Sequence, residues 1–450
     1  MTRGDAACLF ALLVGCTAPG PLHPRDPGPP SDAVVLSYEV AFRDGDLDVE
    51  ARFNADLDEE HELSGPRSGQ VESLVRTSRG LSYRIHLQAL CEEGDRGMFR
   101  AGPVLFASAS RWLVRPARLP PGRVRVHVTV APPMRFVTGM TPASSGEPDT
   151  YEAPTHLIDV MTYSAFGPFR EDAITLGAST IVLATPETGL EVQPEVLRRW
   201  AEQATRGVAD YFGRFPLPRA VIFVLPVEGS RIVFGSALGN AGAAVQVMVG
   251  ERTPPEKFER DWILTHETVH LGFPNLGDDH RWLEEGLATY LEPLIRTQQG
   301  IHTEAELWKE LRGGFAQGVL GSHERGYEDS QSWAHVYWGG AFFFFLADLE
   351  IRARTKNTKG LADALVGVLD DGGDIRTSRR VDRIFEVGDR ATGVEVLRPL
   401  YENLGRSNAK AVDLPRLLED LGVVGPEEKV ELDDRASHAW LRRAILGRPR

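Results

Sequence analysis

Residues 262–271 read Trp-Ile-Leu-Thr-His-Glu-Thr-Val-His-Leu, which sets His266 and His270 four positions apart with Glu267 between them. On a helix that spacing sends both imidazoles out of one face, one turn apart, where they can grip a single metal ion. The same residues would also suit an ordinary amphipathic helix, so the pattern gains its weight from a second one further along the chain. After fourteen intervening residues, within Arg281-Trp-Leu-Glu-Glu-Gly-Leu-Ala-Thr-Tyr-Leu-Glu292, another helical pattern brings Glu284 or Glu285 to where a third ligand is needed. A catalytic zinc takes three protein ligands and keeps one position open, and two His with one Glu make such a set. Glu267 then has the chemistry of a general base acting on a water at the metal.

The pair His266-Glu-Thr-Val-His270 and Trp282-Leu-Glu-Glu-Gly-Leu-Ala-Thr-Tyr290 resembles the gluzincin metallopeptidases, in particular the aminopeptidase N and glycyl aminopeptidase families. In those families the ligand Glu directly precedes the Gly of the second motif, which implies Glu285, although the loop here is shorter by about one helical turn. Pro274-Asn-Leu-Gly-Asp-Asp279 is rich in turn formers and can absorb the difference. The choice between Glu284 and Glu285 stays open, with Glu285 favoured.

At 450 residues, 42% hydrophobic and 25% charged, the chain has the composition of two or three ordinary globular domains. A formal charge of −14 argues against a nucleic-acid partner, because a phosphate backbone rewards the opposite sign. Residues 1–15 carry Arg3, then a short apolar run ending in small residues, the layout of a secretory signal despite Asp5. Leu13-Val-Gly-Cys16 resembles the cleavage box of bacterial lipoproteins and implies that Cys16 becomes a lipidated first residue. The run is too short to remain as a membrane span. Pro19, Pro21, Pro24, Pro27, Pro29 and Pro30 make residues 16–33 an extended, solvated tether. Cys91 is then the sole other cysteine of the mature chain, so an intramolecular disulfide is ruled out and a buried thiol is expected.

From residue 34 to 178 the pattern is that of an all-β domain. Val34–Phe42, Leu81–Leu87 and Arg123–Val130 alternate or run apolar between Gly and Pro turns. His86 and His127 read as surface groups. Residues 179–352 form the expected catalytic domain. It opens with a strand at Ser179–Thr185, a helix from Pro194 to Phe212, a Pro-Leu-Pro break and a buried strand at Ala220–Leu225. That order resembles the start of the aminopeptidase N catalytic domain.

Gly235-Ser-Ala-Leu-Gly-Asn-Ala-Gly precedes an apolar stretch, Ala243 to Val249, that reads as an exposed edge strand able to align a peptide backbone, or as a plain hairpin. By resemblance, Ala237, Leu238, Gly239 and Asn240 occupy the place of the Gly-Ala-Met-Glu-Asn substrate motif. There the family's Glu holds the substrate's free amine, and this chain has Gly239. Unless Glu251 or Asp278 supplies the charge, the resemblance implies weak selectivity for a free N-terminus.

Ser332 to Ile351 reads as one strongly apolar buried helix. Tyr337-Trp-Gly-Gly340 at its head resembles the Tyr-x-Lys-Gly motif, which implies that Tyr337 stabilises the transition state, with Gly339 where Lys is usual. His335 reads as a packing or supporting group. Residues 353–450 show helical patterns only. The whole is therefore expected to be a multidomain α+β chain with an N-terminal all-β domain, a thermolysin-like catalytic domain and a helical C-terminal domain. The resemblance implies a zinc metallopeptidase of the bacterial cell envelope, with one Zn²⁺, peptide or protein substrates and a lipid anchor in the membrane. The rival expectation is a non-catalytic, lipid-anchored binding protein on the same scaffold.

Overall fold

The computed structural model describes residues 33–54, 62–66, 70–94, 97–321, 324–330, 332–407, 412–426 and 429–447. The expected signal segment, Cys16 and the tether up to residue 32 lie outside them. Contacts divide the chain into two compact units, one of residues up to Ala201 with Pro218–Phe258, the other of Glu202–Leu217 with Glu259–Arg450. This division cuts across the segment drawn at 179–352. The strands of that segment share a unit with the N-terminal β region, and its later helices share one with the C-terminal tail.

In the first unit a seven-stranded sheet runs, edge to edge, Thr141–Pro142, Thr150–Pro154, Arg123–Val130, Val34–Arg43, Asp46–Phe53, Gly80–Ile85 and Val71–Thr77. The period of two is plain in Val34–Arg43, where Leu36, Tyr38, Val40 and Phe42 are buried and Glu39 is exposed. Phe42 stacks on Phe166 at 5.0 Å, and the Tyr38 hydroxyl donates to the Val114 carbonyl at 2.8 Å, so the core's polar tip is satisfied. Cys91 is buried in this core as expected. His86 lies exposed between Asp46 and Glu72, and His127 faces Glu39 at 2.6 Å, both surface groups.

A five-stranded sheet comes next in the order Phe169–Leu176, Ser179–Pro186, Arg219–Val227, Ala244–Gly250, Ile232–Leu238. Its three middle strands are parallel, and Arg219–Val227 is buried on both faces, which accounts for the unbroken apolar run. The strand at the second edge is Ile232–Leu238, which corrects the expectation for Ala243–Val249. The latter pairs on both sides and is nearly all buried, whereas Ile232–Leu238 is half-buried along most of its length. Burial, more than the flanking glycines, separates the two.

In the second unit the helix Arg281–Gln298, here the glutamate helix, packs on the helix Gly340–Arg354. Leu287, Tyr290 and Leu291 meet Phe342, Phe343 and Phe345, with Trp308 and Phe315 of the helix Glu304–Gly318 closing the cluster. Each such buried side chain contributes about 1.5–3 kcal/mol. Asp348 is buried among them and accepts from Tyr290, Arg352 and the Leu361 backbone N–H, so its charge is paired. The tail adds Leu361–Asp370, a short helix Leu397–Leu400 running into a π-turn to Gly405, and Leu414–Asp420, in line with the helical patterns there, together with Val381–Thr392, a helix those patterns do not single out. The architecture is mixed α+β, β-rich toward the N-terminus and helical toward the C-terminus. Among the described residues no helix is long and apolar enough to cross a membrane.

Candidate metal centre

The histidine helix, Ile263–His270, is buried on every side from Ile263 through Val269, and Asp261 caps its start by accepting from the Leu264 N–H at 3.0 Å. His266 and His270 leave one face with their rings 5.0 Å apart. The glutamate helix brings Glu285 to them. One carboxylate oxygen, Oε2, lies 3.3 Å from His266 Nε2 and 3.6 Å from His270 Nε2. One ligand atom from each of the three residues falls within 4.8 Å of the others, and among the described residues no second group of this kind occurs.

These distances fit zinc. A tetrahedral site with bonds of about 2.0–2.1 Å separates neighbouring ligand atoms by about 3.3 Å, whereas a charge-assisted hydrogen bond would close to roughly 2.7–2.9 Å. The electrostatics agree. Burial opposes a charge on Glu285, yet the two imidazoles outweigh it and hold the carboxyl well below its usual range. Burial also lowers His270, but the Glu285 carboxylate overcomes this and raises the imidazole to about 9. A buried carboxylate that demands positive charge from two imidazoles is one a divalent cation would satisfy.

Arg281, one turn before Glu285, sets its Nε 3.5 Å from Oε1, so one carboxylate oxygen faces the histidines and the other faces a guanidinium. Glu284 does different work. Its Oε1 accepts the Leu276 backbone N–H at 2.6 Å and ties down the Pro274–Asp279 loop, while burial lifts its carboxyl to about 7. Of the two candidates, Glu285 is the one beside the histidine pair. Glu267 is buried on the same helix, close enough for its charge to act on His270.

Tyr337 sits in a π-helical turn, His335–Gly339, and not in the first turn of one continuous helix as expected. Such turns insert one extra residue and recur at functional sites. The Tyr337 ring lies near-parallel to His266 at 6.4 Å and stacks on Trp333 at 5.1 Å. His335 pairs with Ser330 Oγ at 2.7 Å, consistent with a supporting role. Gly339 has a steric reason: a Cβ there would lie 2.3 Å from the Tyr327 ring, so the lysine of the family pattern has no room.

Ala237, Leu238, Gly239 and Asn240 belong to the first unit. They end the edge strand and enter a turn in which Asn240 and Ala241 hold φ of 66° and 60°. Left-handed backbone costs about 1–2 kcal/mol at a residue such as Ala241. The turn is pinned by Thr162, which donates to the Leu238 and Asn240 carbonyls, and by Thr141, which donates to Ala241. Three residues at the metal centre were not singled out from sequence: Arg281, Trp262 and Trp333. Arg281 was legible through its four-residue spacing from Glu285. The two tryptophans carried no such signal.

By sequence the chain matches no family model and no curated protein. Solved structures do match. An aminopeptidase N family protein from Idiomarina loihiensis superposes with a TM-score of 0.64 at 13% identity, over 86% of this chain and 78% of that one. A variant of a two-domain M1 zinc metallopeptidase bound to L-arginine gives 0.50 at 17% identity, over 85% and 96%. A variant M1 zinc metallopeptidase from Deinococcus radiodurans gives the same values. At such identities the likeness is one of fold, and the chain has the gluzincin aminopeptidase-like fold of these structures.

Proposed function

We propose that the chain is a zinc metallopeptidase that hydrolyses peptide bonds. The observation that carries this is one buried Glu285 oxygen set within 3.3 and 3.6 Å of both histidine nitrogens, with Glu267 between those histidines on their helix. The zinc metallopeptidases among the structural neighbours support the reading, as does the three-ligand donor set. A purely structural zinc would call for a fourth protein ligand and has no use for a general base.

His266, His270 and Glu285 would hold the ion, which when bound supplies Lewis-acid polarisation of the scissile carbonyl and an acidified water. Glu267 accepts the attacking water's proton and returns it to the leaving amine. Tyr337 donates its O–H to the carbonyl oxygen as negative charge develops there. Arg281 keeps Glu285 oriented. Residues 179–352 form a thermolysin-like catalytic domain in this reading. With Gly239 in place of an acidic side chain, the substrate's free amine has no carboxylate partner in that stretch, which favours endopeptidase or loosely selective aminopeptidase behaviour. Cys16 anchors the exported protein in the bacterial cell envelope, so Cys16→Ala should leave the membrane fraction.

The decisive test is Glu267→Gln. It should keep one zinc per chain and lose peptidase activity by at least about a hundredfold, because the isosteric amide cannot take the proton. Retained activity with zinc bound would overturn the mechanism. Free and N-acetylated versions of one peptide should be cut at comparable rates, and cutting of the free one alone would refute the reading of Gly239.

A further inference from the structure

Among the described residues five large hydrophobic side chains are exposed, and two of them, Trp262 at 40% and Trp333 at 38%, flank the metal centre. They end a continuous row of rings. Trp262 stands edge-on to His266 at 5.7 Å, His266 faces Tyr337 at 6.4 Å, and Tyr337 stacks on Trp333 at 5.1 Å. The inner two rings are those of a metal ligand and the proposed oxyanion donor. The outer two leave indole surface in water directly beside those two groups. Exposed aromatic surface beside a buried polar site is how proteins present a face to an apolar ligand group.

We propose that Trp333 and Trp262 form a side-chain platform that makes the site prefer substrates with an aromatic or large apolar residue next to the scissile bond. This rests on the peptidase reading. The backbone supports it: Trp262 immediately precedes the histidine helix, and Trp333 lies two residues before the π-turn that carries Tyr337. Both indoles are thereby carried on backbone that adjoins those groups. An aromatic side chain lying on Trp333 extends the existing stack on Tyr337. A cationic side chain, which an indole face can also attract, is the competing occupant that a lysine peptide tests.

The test uses the zinc-loaded full chain and three peptides that differ at one residue beside the cleaved bond: Phe, Ala or Lys. The wild type should cut the Phe peptide with kcat/KM at least about tenfold above the other two. Trp333→Ala should bring the Phe-to-Ala ratio close to one, and Trp333→Phe should restore most of it. Trp262→Ala should lower the same ratio by a smaller factor. Zinc content and the thermal transition, read on each variant, separate these effects from misfolding. Equal loss on all three peptides in Trp333→Ala would overturn the proposal, leaving the indole as a support for Tyr337 alone. A wild-type preference for Lys, or no preference, would overturn it too. No cleavage of any peptide by the zinc-loaded wild type would overturn the peptidase reading itself and this inference with it.

Discussion

Gly286 and Gly340 touch where the glutamate helix crosses the helix that begins just after Tyr337. A Cβ on Gly286 would lie 2.3 Å from the Gly340 backbone, and one on Gly340 would lie 1.9 Å from the Trp282 carbonyl oxygen. Neither clash is with a flexible side chain, so neither can be relieved without moving a helix. The glycine after Glu285 and Gly340, three residues after Tyr337, are thus two halves of one crossing, which holds Glu285 and Tyr337, the proposed third metal ligand and oxyanion donor, in fixed relation.

Gly340→Ala should therefore destabilise the second unit by about 1–3 kcal/mol, in the range of core overpacking. It should also weaken zinc binding, because the crossing carries Glu285. Thermal unfolding with chelator competition reads both. An unchanged transition would mean the helices can part at no cost and that the close approach is incidental.

Glu284 and Glu285 should separate cleanly. Glu285→Ala should abolish stoichiometric zinc, as should His266→Ala and His270→Ala. Glu284→Gln should keep it, since its amide oxygen can still accept the Leu276 N–H. Zinc lost from Glu284→Gln and kept in Glu285→Ala would reverse the assignment.

Arg281→Leu should lower zinc affinity about tenfold to a hundredfold, the usual effect of losing a group that orients a metal ligand. The readout is competition with a chromogenic chelator, independent of turnover. Affinity equal to wild type would show that Glu285 needs no help from its outer oxygen.

His302 predicts a pH effect away from the metal. Its Nε2 accepts from Arg296 at 2.6 Å, and burial together with the Arg296 charge lowers the imidazole to about 4. The folded value lies below the ordinary 6.5 of an unfolded histidine, so its contribution is fully present above about pH 6.5 and is lost as pH falls toward 4. The full shift corresponds to about 3 kcal/mol, and partial solvent screening reduces that to ~1–2 kcal/mol. In urea unfolding between pH 7 and 4, His302→Gln should lose less stability than wild type. Parallel pH curves would remove His302 from the acid response.

The local chemistry of the centre was written in the sequence. Four-residue spacing fixes His266 and His270 on one helical face, and the second motif narrows the third ligand to two adjacent carboxylates, because helical periodicity is a short-range property. Periodicity likewise gave the alternating strand Val34–Arg43 and the helix Pro194–Phe212. Tertiary contacts decided the rest. Adjacent residues such as Glu284 and Glu285 point in different directions, so only the fold could set one beside the histidines and the other on the Leu276 backbone. The residue pattern reads as one strand at Ala243–Val249 with a glycine-rich loop before it, and only the pairing partners show that Ile232–Leu238 is a strand too and forms that edge of the sheet. The π-turn at Tyr337, the Gly286–Gly340 crossing and the exposed indoles at Trp262 and Trp333 depend on contacts between residues far apart in the chain, where no local pattern reaches.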